Sequence, residues 1–193
     1  MKALAVYCGS SVGLLPEYRE AAAAFGVLLA REKIALVYGG GNIGLMGAAA
    51  DGALQAGGKV IGVIPHILVE KELAHRGVTE FYPVETMHQR KQKMADLADG
   101  FVALPGGIGT LEEIFEVWTW NQLHIHTKPC AFLNVADYYD KLVEFLKHMT
   151  EQRFVKPAQL DAVIVDADPV SLLAKMREFK PVMTEKWIDK KPL

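Results

Sequence analysis

The chain has 193 residues, of which 51% are hydrophobic and 23% charged, and this length and composition predict one globular domain over residues 1–193. The formal net charge of −2 excludes the strongly basic surface of a nucleic-acid-binding or polybasic membrane-binding protein. The apolar start is too short for a signal peptide and no apolar run spans a bilayer, so we expect a cytoplasmic protein without a membrane partner.

Short apolar runs alternate with helical periodicity along the chain. The predicted strands cover residues 3–8, 35–38, 60–64, 100–104, 130–133 and 162–165, and the predicted helices cover residues 17–31, 45–56, 87–98, 111–123, 138–150 and 170–179. Because the strands are almost continuously apolar, we expect them to be buried on both faces. The pattern predicts an α/β three-layer sandwich with a mostly parallel sheet and helices on both faces. Residues 65–83 are less regular and predict either a short strand near Phe81 or a mobile lid.

Cysteine and histidine positions give no metal motif. Cys8 and Cys130 are the only cysteines, and each lies at the edge of an apolar run, which predicts two buried core residues. His124 and His126 lack a third ligand at a suitable spacing, so two surface histidines in a loop are the simpler interpretation.

Three loops rich in glycine or serine follow predicted strands, at residues 8–11, 39–44 and 105–110. In a parallel sheet the carboxyl ends of the strands share one edge, and ligands bind beyond that edge. The three loops therefore predict a site for a nucleotide-like ligand.

The middle loop matches the G-x-G-x-x-G dinucleotide fingerprint at Gly39, Gly41 and Gly44. The fingerprint also requires an acid about 20 residues later for a ribose hydroxyl. The next predicted strand ends without a carboxylate, which argues against a nicotinamide or flavin cofactor. Two interpretations of this loop remain. Either Gly41 and Asn42 contact the phosphate or ribose of a mononucleotide, or the glycines serve only a tight turn.

The third loop reads Pro-Gly-Gly-Ile-Gly-Thr over residues 105–110 and is followed by Leu111, Glu112 and Glu113. Glycines let backbone N–H groups crowd around an anion, and a helix N-terminus adds positive potential. We expect both acids in the first helical turn, beside a bound phosphate. A purely structural alternative is a capping box, in which Thr110 caps the helix and Glu113 folds back onto the backbone.

Residues 87–94 form a basic helical segment. A solvated basic face is the simplest interpretation of such a run. Arg90 in this segment can also hold a phosphate or a ribose bidentately, which a lysine cannot do.

The segments Gly-Gly-Gly-Asn-Ile-Gly-Leu-Met-Gly at 39–47, Met-His-Gln-Arg-Lys at 87–91 and Pro-Gly-Gly-Ile-Gly-Thr-Leu-Glu-Glu at 105–113 together resemble the LONELY GUY family. The resemblance extends from about residue 5 to about residue 154. It implies a Rossmann-like fold, a homodimer or higher homo-oligomer, and no metal or organic cofactor. It also implies hydrolysis of an N6-modified adenosine 5′-monophosphate, a cytokinin riboside monophosphate, and of AMP in many bacterial members, to the free base and ribose 5-phosphate.

The resemblance further implies that Arg90 and Glu113 form the catalytic pair. The residues expected to bind the substrate are Ser10, Gly40, Gly41, Asn42, Glu72, Lys91, Gly106, Gly107, Ile108, Gly109, Thr110, Leu111, Glu112 and Thr119. Two positions depart from the family pattern: Gln89 stands where many members have glutamate, and Ile108 stands where tyrosine or phenylalanine is frequent.

Many bacterial relatives of this family have carried the label of lysine decarboxylase. That reaction normally uses pyridoxal phosphate bound to a lysine. Lys91 and Lys93 lie in a polar helical segment, which would not lower a lysine pKa by burial. A non-catalytic carrier of a nucleotide or of the molybdenum cofactor is the alternative, because such carriers share the fold and the glycine loops. A carrier has no need of Arg90 and Glu113 together, which favours the enzyme.

Overall fold

The computed structural model describes residues 1–69 and 74–181. The strands of the sheet are β1 (Ala3–Tyr7), β2 (Ala35–Tyr38), β3 (Val60–Pro65), β4 (Glu80–Val84), β5 (Phe101–Ala103), β6 (Cys130–Leu133) and β7 (Val163–Asp166). The helices are α1 (Pro16–Arg31), α2 (Gly44–Gln55), α3 (His66–Val69), α4 (Met87–Leu97), α5 (Ile108–Gln122), α6 (Asp140–Glu151), α7 (Pro157–Asp161) and α8 (Pro169–Glu178). Among the described residues, no helix has the length and apolar character needed to cross a bilayer.

The seven strands form one sheet in the order β4-β3-β2-β1-β5-β6-β7, and every neighbouring pair is parallel. The strand order reverses between β1 and β5, which pair with Ala5 opposite Phe101. In doubly wound sheets the ligand binds at this reversal, beyond the carboxyl ends of the strands. The loops after β1 and β5 lie on the two sides of that position.

The sheet separates two hydrophobic cores. Along β1, Leu4 and Val6 join a core with α1, α2 and α8, whereas Ala5 and Tyr7 join a core with α4, α5 and α6. This alternation is the two-residue period of a strand with both faces buried. The predicted three-layer α/β fold is therefore confirmed, and the expectation of two buried free cysteines is confirmed as well.

The structure differs from the predicted elements mainly in short elements and at one helix start. The strand expected near Phe81 is present as the edge strand β4. The alternative of a mobile lid includes residues 70–73, which lie outside the described residues. The short helices α3 and α7 were not predicted, because a single helical turn carries no measurable periodicity. Helix α5 begins at Ile108, three residues earlier than predicted. The prediction placed the start after the glycine run, whereas the first turn of the helix includes Gly109.

Helices α1 and α2 pack closely at two glycines. A Cβ atom added to Gly26 would lie 2.0 Å from the carbonyl oxygen of Ala49, and one added to Gly52 would lie 2.2 Å from the carbonyl oxygen of Ala23. Only glycine allows the two backbones to approach this far. The contact fixes α2 against α1 and thereby fixes the position of the loop that leads into α2.

We predict that Gly26→Ala lowers the free energy of unfolding by about 1–3 kcal/mol, because the added methyl group overpacks the helix contact. Urea unfolding at neutral pH measures the change. Ala24→Ser, at an exposed position of the same helix, is the matched control and should be close to neutral. Equal stability of Gly26→Ala and the parent protein would show that α1 and α2 do not meet as closely as described.

Candidate active site

A cleft of about 360 Å³ opens at the carboxyl edge of the sheet, where the strand order reverses. It is lined by residues from the loops after β1, β2 and β5 and from α4 and α5. The predicted site residues that line it are Ser10, Arg90, Gly107, Ile108, Gly109, Thr110, Glu112 and Glu113. The structure therefore brings together the two residues expected to form the catalytic pair.

Gly9 connects the three predicted loops through its backbone. Its N–H donates to the carbonyl of Pro105 at 3.1 Å, and its carbonyl accepts from the N–H of Leu45 at 2.9 Å. The first bond ties the loop after β1 to the loop after β5, and the second ties it to the start of α2. The N-terminus of α2 is thus used to hold a neighbouring loop.

The N-terminus of α5 has a different use. Its N-cap is Gly107, in an extended conformation, and no side chain caps the helix. The first N–H groups of an α-helix have no partner within the helix, and they attract anions together with the helix dipole. Because Gly107, Ile108 and Gly109 line the cleft, these donors lie at its wall.

The alternative of a capping box at Thr110 is wrong. The N-cap of α5 is Gly107, and Thr110 is the third residue within the helix. The expected placement of two acids in the first turn is also wrong, since that turn contains no acid. Because the helix starts at Ile108, Glu112 and Glu113 fall in the second turn and line the cleft.

Arg90 is held by two backbone carbonyls, one directly after β2 and one within β3. Its Nη2 donates to the carbonyl of Gly39 at 2.8 Å, and its Nε donates to the carbonyl of Val63 at 3.2 Å. The side chain is only 5% exposed, so the solvated basic face is the wrong interpretation for this residue. Buried carbonyl groups need hydrogen-bond donors, and a guanidinium supplies several in a fixed plane. The bonds fix the guanidinium at the wall of the cleft.

Lys91, the next residue of α4, pairs with α5. It is 7% exposed and forms ion pairs with Glu112 and, at 3.1 Å, with Oε2 of Glu116. Burial lowers the pKa of this ammonium group, but the hydrogen bonds to the two carboxylates outweigh burial, and the net pKa is raised. The expectation that Lys91 lies on a solvated basic face is therefore wrong. The expectation that its pKa is not lowered agrees with the structure. The ion pairs fix α4 against α5, and with them Arg90 against the acids of α5.

Tyr7 and Cys8 form the end of β1 under the cleft. The Tyr7 hydroxyl is buried and has no hydrogen-bond partner within residues 1–69 and 74–181. Burial raises the pKa of this phenol, and the carboxylate of Glu113 raises it further. The pKa of the Cys8 thiol is raised by the same two causes, which excludes Cys8 as a thiolate nucleophile at neutral pH. Both effects show that the charge of Glu113 lies close to the end of β1.

Two contacts that the sequence analysis missed hold the loops from behind. The backbone N–H of His75 donates to the carbonyl of Gly40 at 2.9 Å. Its Nδ1 accepts from the N–H of Gly77, so its Nε2 carries the proton and donates to Asp51 at 3.1 Å. On the other side, the hydroxyl of Tyr138 donates to the carbonyl of Gly106 at 2.5 Å. No motif predicts these contacts, because each joins residues far apart in the sequence.

Several residues expected to bind the substrate do not line this cleft in the described part of the chain. They are Gly40, Gly41, Asn42, Lys91, Gly106, Leu111 and Thr119. Gly40 and Gly41 are buried beneath the loop, and Thr119 lies about two turns further along α5. Glu72 lies outside the described residues. Contact of these residues with a substrate stays a prediction.

Gln89, which departs from the family pattern, serves the start of α4. Its N–H donates to Oγ1 of Thr86 at 3.1 Å, and its Oε1 accepts from the N–H of Glu85 at 2.8 Å. Glutamate and glutamine are interchangeable in this kind of cap. Glutamine therefore serves this helix start as well as glutamate would, and a Thr-x-x-Gln pattern signals the cap in the sequence.

The two histidines after α5 are not equivalent. His126 is half-buried, accepts a hydrogen bond from the N–H of Lys128 through Nδ1, and contacts the carbonyl of Val117 through Nε2 at 2.9 Å. Both ring nitrogens are engaged in these bonds, whereas His124 is exposed as expected. No cluster of three or more histidine, cysteine, aspartate or glutamate side chains suited to a metal occurs among the described residues.

Comparison with known proteins identifies relatives over nearly the whole chain. The model of the family described as possible lysine decarboxylase matches residues 46–176. A cytokinin riboside 5′-monophosphate phosphoribohydrolase from Rhodococcoides fascians is 46% identical over 91% of this chain and 89% of its own length. A cytokinin riboside 5′-monophosphate phosphoribohydrolase from Arabidopsis thaliana is 42% identical over 95% of this chain and 85% of its own length.

Solved structures with the same fold are more distant in sequence. The molybdenum cofactor carrier protein from Chlamydomonas reinhardtii has a TM-score of 0.70 at 21% identity, covering 92% of this chain and 96% of the carrier. The molybdenum cofactor binding protein from Rippkaea orientalis has a TM-score of 0.68 at 23% identity, covering 91% of this chain and 95% of that protein. At these identities the likeness shows the fold alone.

We predict that Arg90→Lys lowers the free energy of unfolding by about 1–3 kcal/mol, because one ammonium group cannot satisfy both buried carbonyls that the guanidinium serves. Urea unfolding measures the change. Lys93→Arg, on the same helix, is the control and should change stability by less than about 0.5 kcal/mol. An Arg90→Lys protein as stable as the parent would show that these carbonyls do not depend on the guanidinium.

Proposed function

The chain belongs to the family described as possible lysine decarboxylase, and curated relatives that match most of its length are cytokinin riboside 5′-monophosphate phosphoribohydrolases. We propose that it has this activity. It hydrolyses the N-glycosidic bond of an N6-modified adenosine 5′-monophosphate, which yields the free base and ribose 5-phosphate. AMP is a second expected substrate.

The arrangement of groups in the cleft supports this activity independently of the similarity to known proteins. The cleft combines an uncapped helix N-terminus with a buried arginine and a carboxylate in the next helical turn. The helix N-terminus suits a phosphate, and a carboxylate suits the positive charge that develops on a ribose during glycoside cleavage. A nucleoside 5′-monophosphate presents both groups on one molecule.

We place the 5′-phosphate at the N–H groups of Gly107, Ile108 and Gly109. Backbone donors can bind an anion without adding net positive charge, which agrees with the overall charge of −2. Fixing the phosphate also fixes the ribose relative to the second turn of α5. Such positioning contributes several kcal/mol to catalysis.

Glu113 is the proposed catalytic carboxylate. Cleavage passes through an oxocarbenium-like state, and a carboxylate near the anomeric carbon stabilises this charge or activates the attacking water. Glu113 lines the cleft and acts electrostatically on the end of β1 beneath it. Its place one turn into α5 puts it next to the proposed phosphate donors.

Arg90 is the proposed partner of Glu113. Its guanidinium faces the cleft from α4 and is held in place by two backbone carbonyls. A fixed guanidinium orients a ribose or phosphate oxygen, or assists departure of the base, in a way that a flexible lysine cannot. The apolar side chains of Leu68, Met87 and Ile108 line the same cleft and suit an apolar N6 substituent.

A carrier function finds less support. The structural neighbours that carry or bind the molybdenum cofactor are 23% identical or less, and they support the fold alone. The curated phosphoribohydrolases are 42% to 47% identical over most of the chain. Tight binding of AMP without turnover would favour a carrier or a regulator. A homodimer or larger homo-oligomer and a cytoplasmic location stay predictions from the sequence.

The direct experiment is chromatography of the products after the purified protein is incubated with AMP or with isopentenyladenosine monophosphate. We predict that the free base and ribose 5-phosphate appear, and that Glu113→Gln lowers kcat by ~10²-fold or more because the charge beside the ribose is lost. Glu144→Gln is the control, since this carboxylate on α6 is exposed and does not line the cleft. It should keep most of the rate. Near-normal turnover by a folded Glu113→Gln protein would contradict the role of Glu113.

We also predict that adenosine, which lacks the 5′-phosphate, is a poorer substrate than AMP in kcat as well as in KM. Binding energy from a remote group lowers the barrier at the reacting bond, so a truncated substrate should lose roughly tenfold or more in kcat. Steady-state kinetics with the two substrates test this. Equal kcat values would argue against the phosphate site on α5.

A further inference from the structure

We propose that Tyr138 is a positioning residue for the phosphate site, which acts by holding the peptide between Gly106 and Gly107 in one orientation. Its hydroxyl donates to the carbonyl of Gly106 at 2.5 Å. The inference rests on the proposed function, because it assumes that the N–H groups at the start of α5 bind the 5′-phosphate. Tyr138 does not line the cleft itself.

Every carbonyl of the loop from Leu104 to Gly107 has a hydrogen-bond donor. The Tyr139 hydroxyl donates to Leu104 at 2.6 Å, the N–H of Gly9 to Pro105 at 3.1 Å, and the Tyr138 hydroxyl to Gly106 at 2.5 Å. The carbonyl of Gly107 accepts from the N–H of Leu111 at 3.2 Å, within the first turn of α5. The bonds turn these oxygens towards protein partners, which keeps them from an anion in the cleft.

The direction of the Gly106 carbonyl also determines the direction of the Gly107 N–H. In a planar trans peptide, the C=O of one residue and the N–H of the next point in opposite directions. The carbonyl of Gly106 points to Tyr138, so the N–H of Gly107 points away from Tyr138. Gly107 lines the cleft on one side and, with Gly106 and Tyr138, a cavity of about 310 Å³ on the other.

A peptide between two glycines needs such a restraint. Without Cβ atoms, Gly106 and Gly107 have wide access to backbone conformations, and a rotated peptide would present a carbonyl oxygen to the phosphate. Glycine is required at position 106, because a Cβ atom there would lie 2.1 Å from Oγ1 of Thr110. The Tyr138 hydroxyl supplies a restraint on the peptide from behind the loop.

Packing holds the Tyr138 ring independently of its hydroxyl. The ring makes edge-to-face contacts with Tyr18 and Tyr139, at centroid distances of 5.5 and 5.0 Å. Tyr138 is 41% exposed and Gly106 is only partly buried, so water can reach the carbonyl that loses the hydroxyl. Tyr139 is buried and its N–H binds Asn134, which makes it a structural residue and a poorer test.

The test is Tyr138→Phe in the full chain, which keeps the ring contacts and removes only the hydroxyl. We expect kcat/KM for AMP to fall roughly 3- to 10-fold, the loss expected for one hydrogen bond that orients a charged contact. The inhibition constant of ribose 5-phosphate should rise by a similar factor. The value of kcat/KM for adenosine, which makes no phosphate contact, should be unchanged. The melting temperature should fall by no more than about 4 °C, because only one partly solvated hydrogen bond is lost.

Tyr18→Phe is the matched control. Tyr18 lines the same cavity and its ring packs on Tyr138, whereas no bond from its hydroxyl to the loop occurs among the described residues. It should leave all these kinetic values unchanged.

An unchanged kcat/KM for AMP in Tyr138→Phe, or equal losses for AMP and adenosine, would overturn the role of Tyr138 alone. Failure of the parent protein to distinguish AMP from adenosine would instead overturn the phosphate site of the proposed function, and this inference with it. The two failures are therefore separated by the parent protein's own substrate preference.

Discussion

The cleft depends on the backbone of Gly9, whose N–H and C=O groups tie the loop after β1 to the loop after β5 and to the start of α2. These bonds lie at the reversal of strand order, where no strand pairing extends to hold the loops. With the carbonyls of the β5 loop bonded to protein partners, the uncapped N-terminus of α5 is left to face the cleft. This arrangement supports the proposed anion site, which consists of backbone groups in a chain with a net charge of −2.

The two adjacent cations of α4 have separate uses. Lys91 is paired with Glu112 and Glu116, and it fixes the distance between α4 and α5. Arg90 is held by one carbonyl directly after β2 and one within β3, and it lies in the wall of the cleft. The helix thus carries a structural cation beside the cation proposed to contact the substrate, and the ion pairs of the first position the second against Glu113.

The sequence predicted those features that depend on local pattern. Apolar runs and turn signals located most of the parallel strands, and the loops at their carboxyl ends predicted where the cleft lies. The convergence of Arg90 and Glu113 was expected from the family resemblance. The burial of Lys91 was missed, because its partner Glu112 lies 21 residues away on another helix. The bond from Tyr138 to Gly106 spans 32 residues and leaves no periodic signal.

The most direct test of this account is a crystal structure of the Glu113→Gln protein with intact AMP bound. We expect the phosphate oxygens within hydrogen-bond distance of the N–H groups of Gly107, Ile108 and Gly109, and the anomeric carbon beside residue 113 and the guanidinium of Arg90. A phosphate bound elsewhere in the protein, with the N-terminus of α5 unoccupied, would contradict the assignment of the cleft and of the residues proposed to act there.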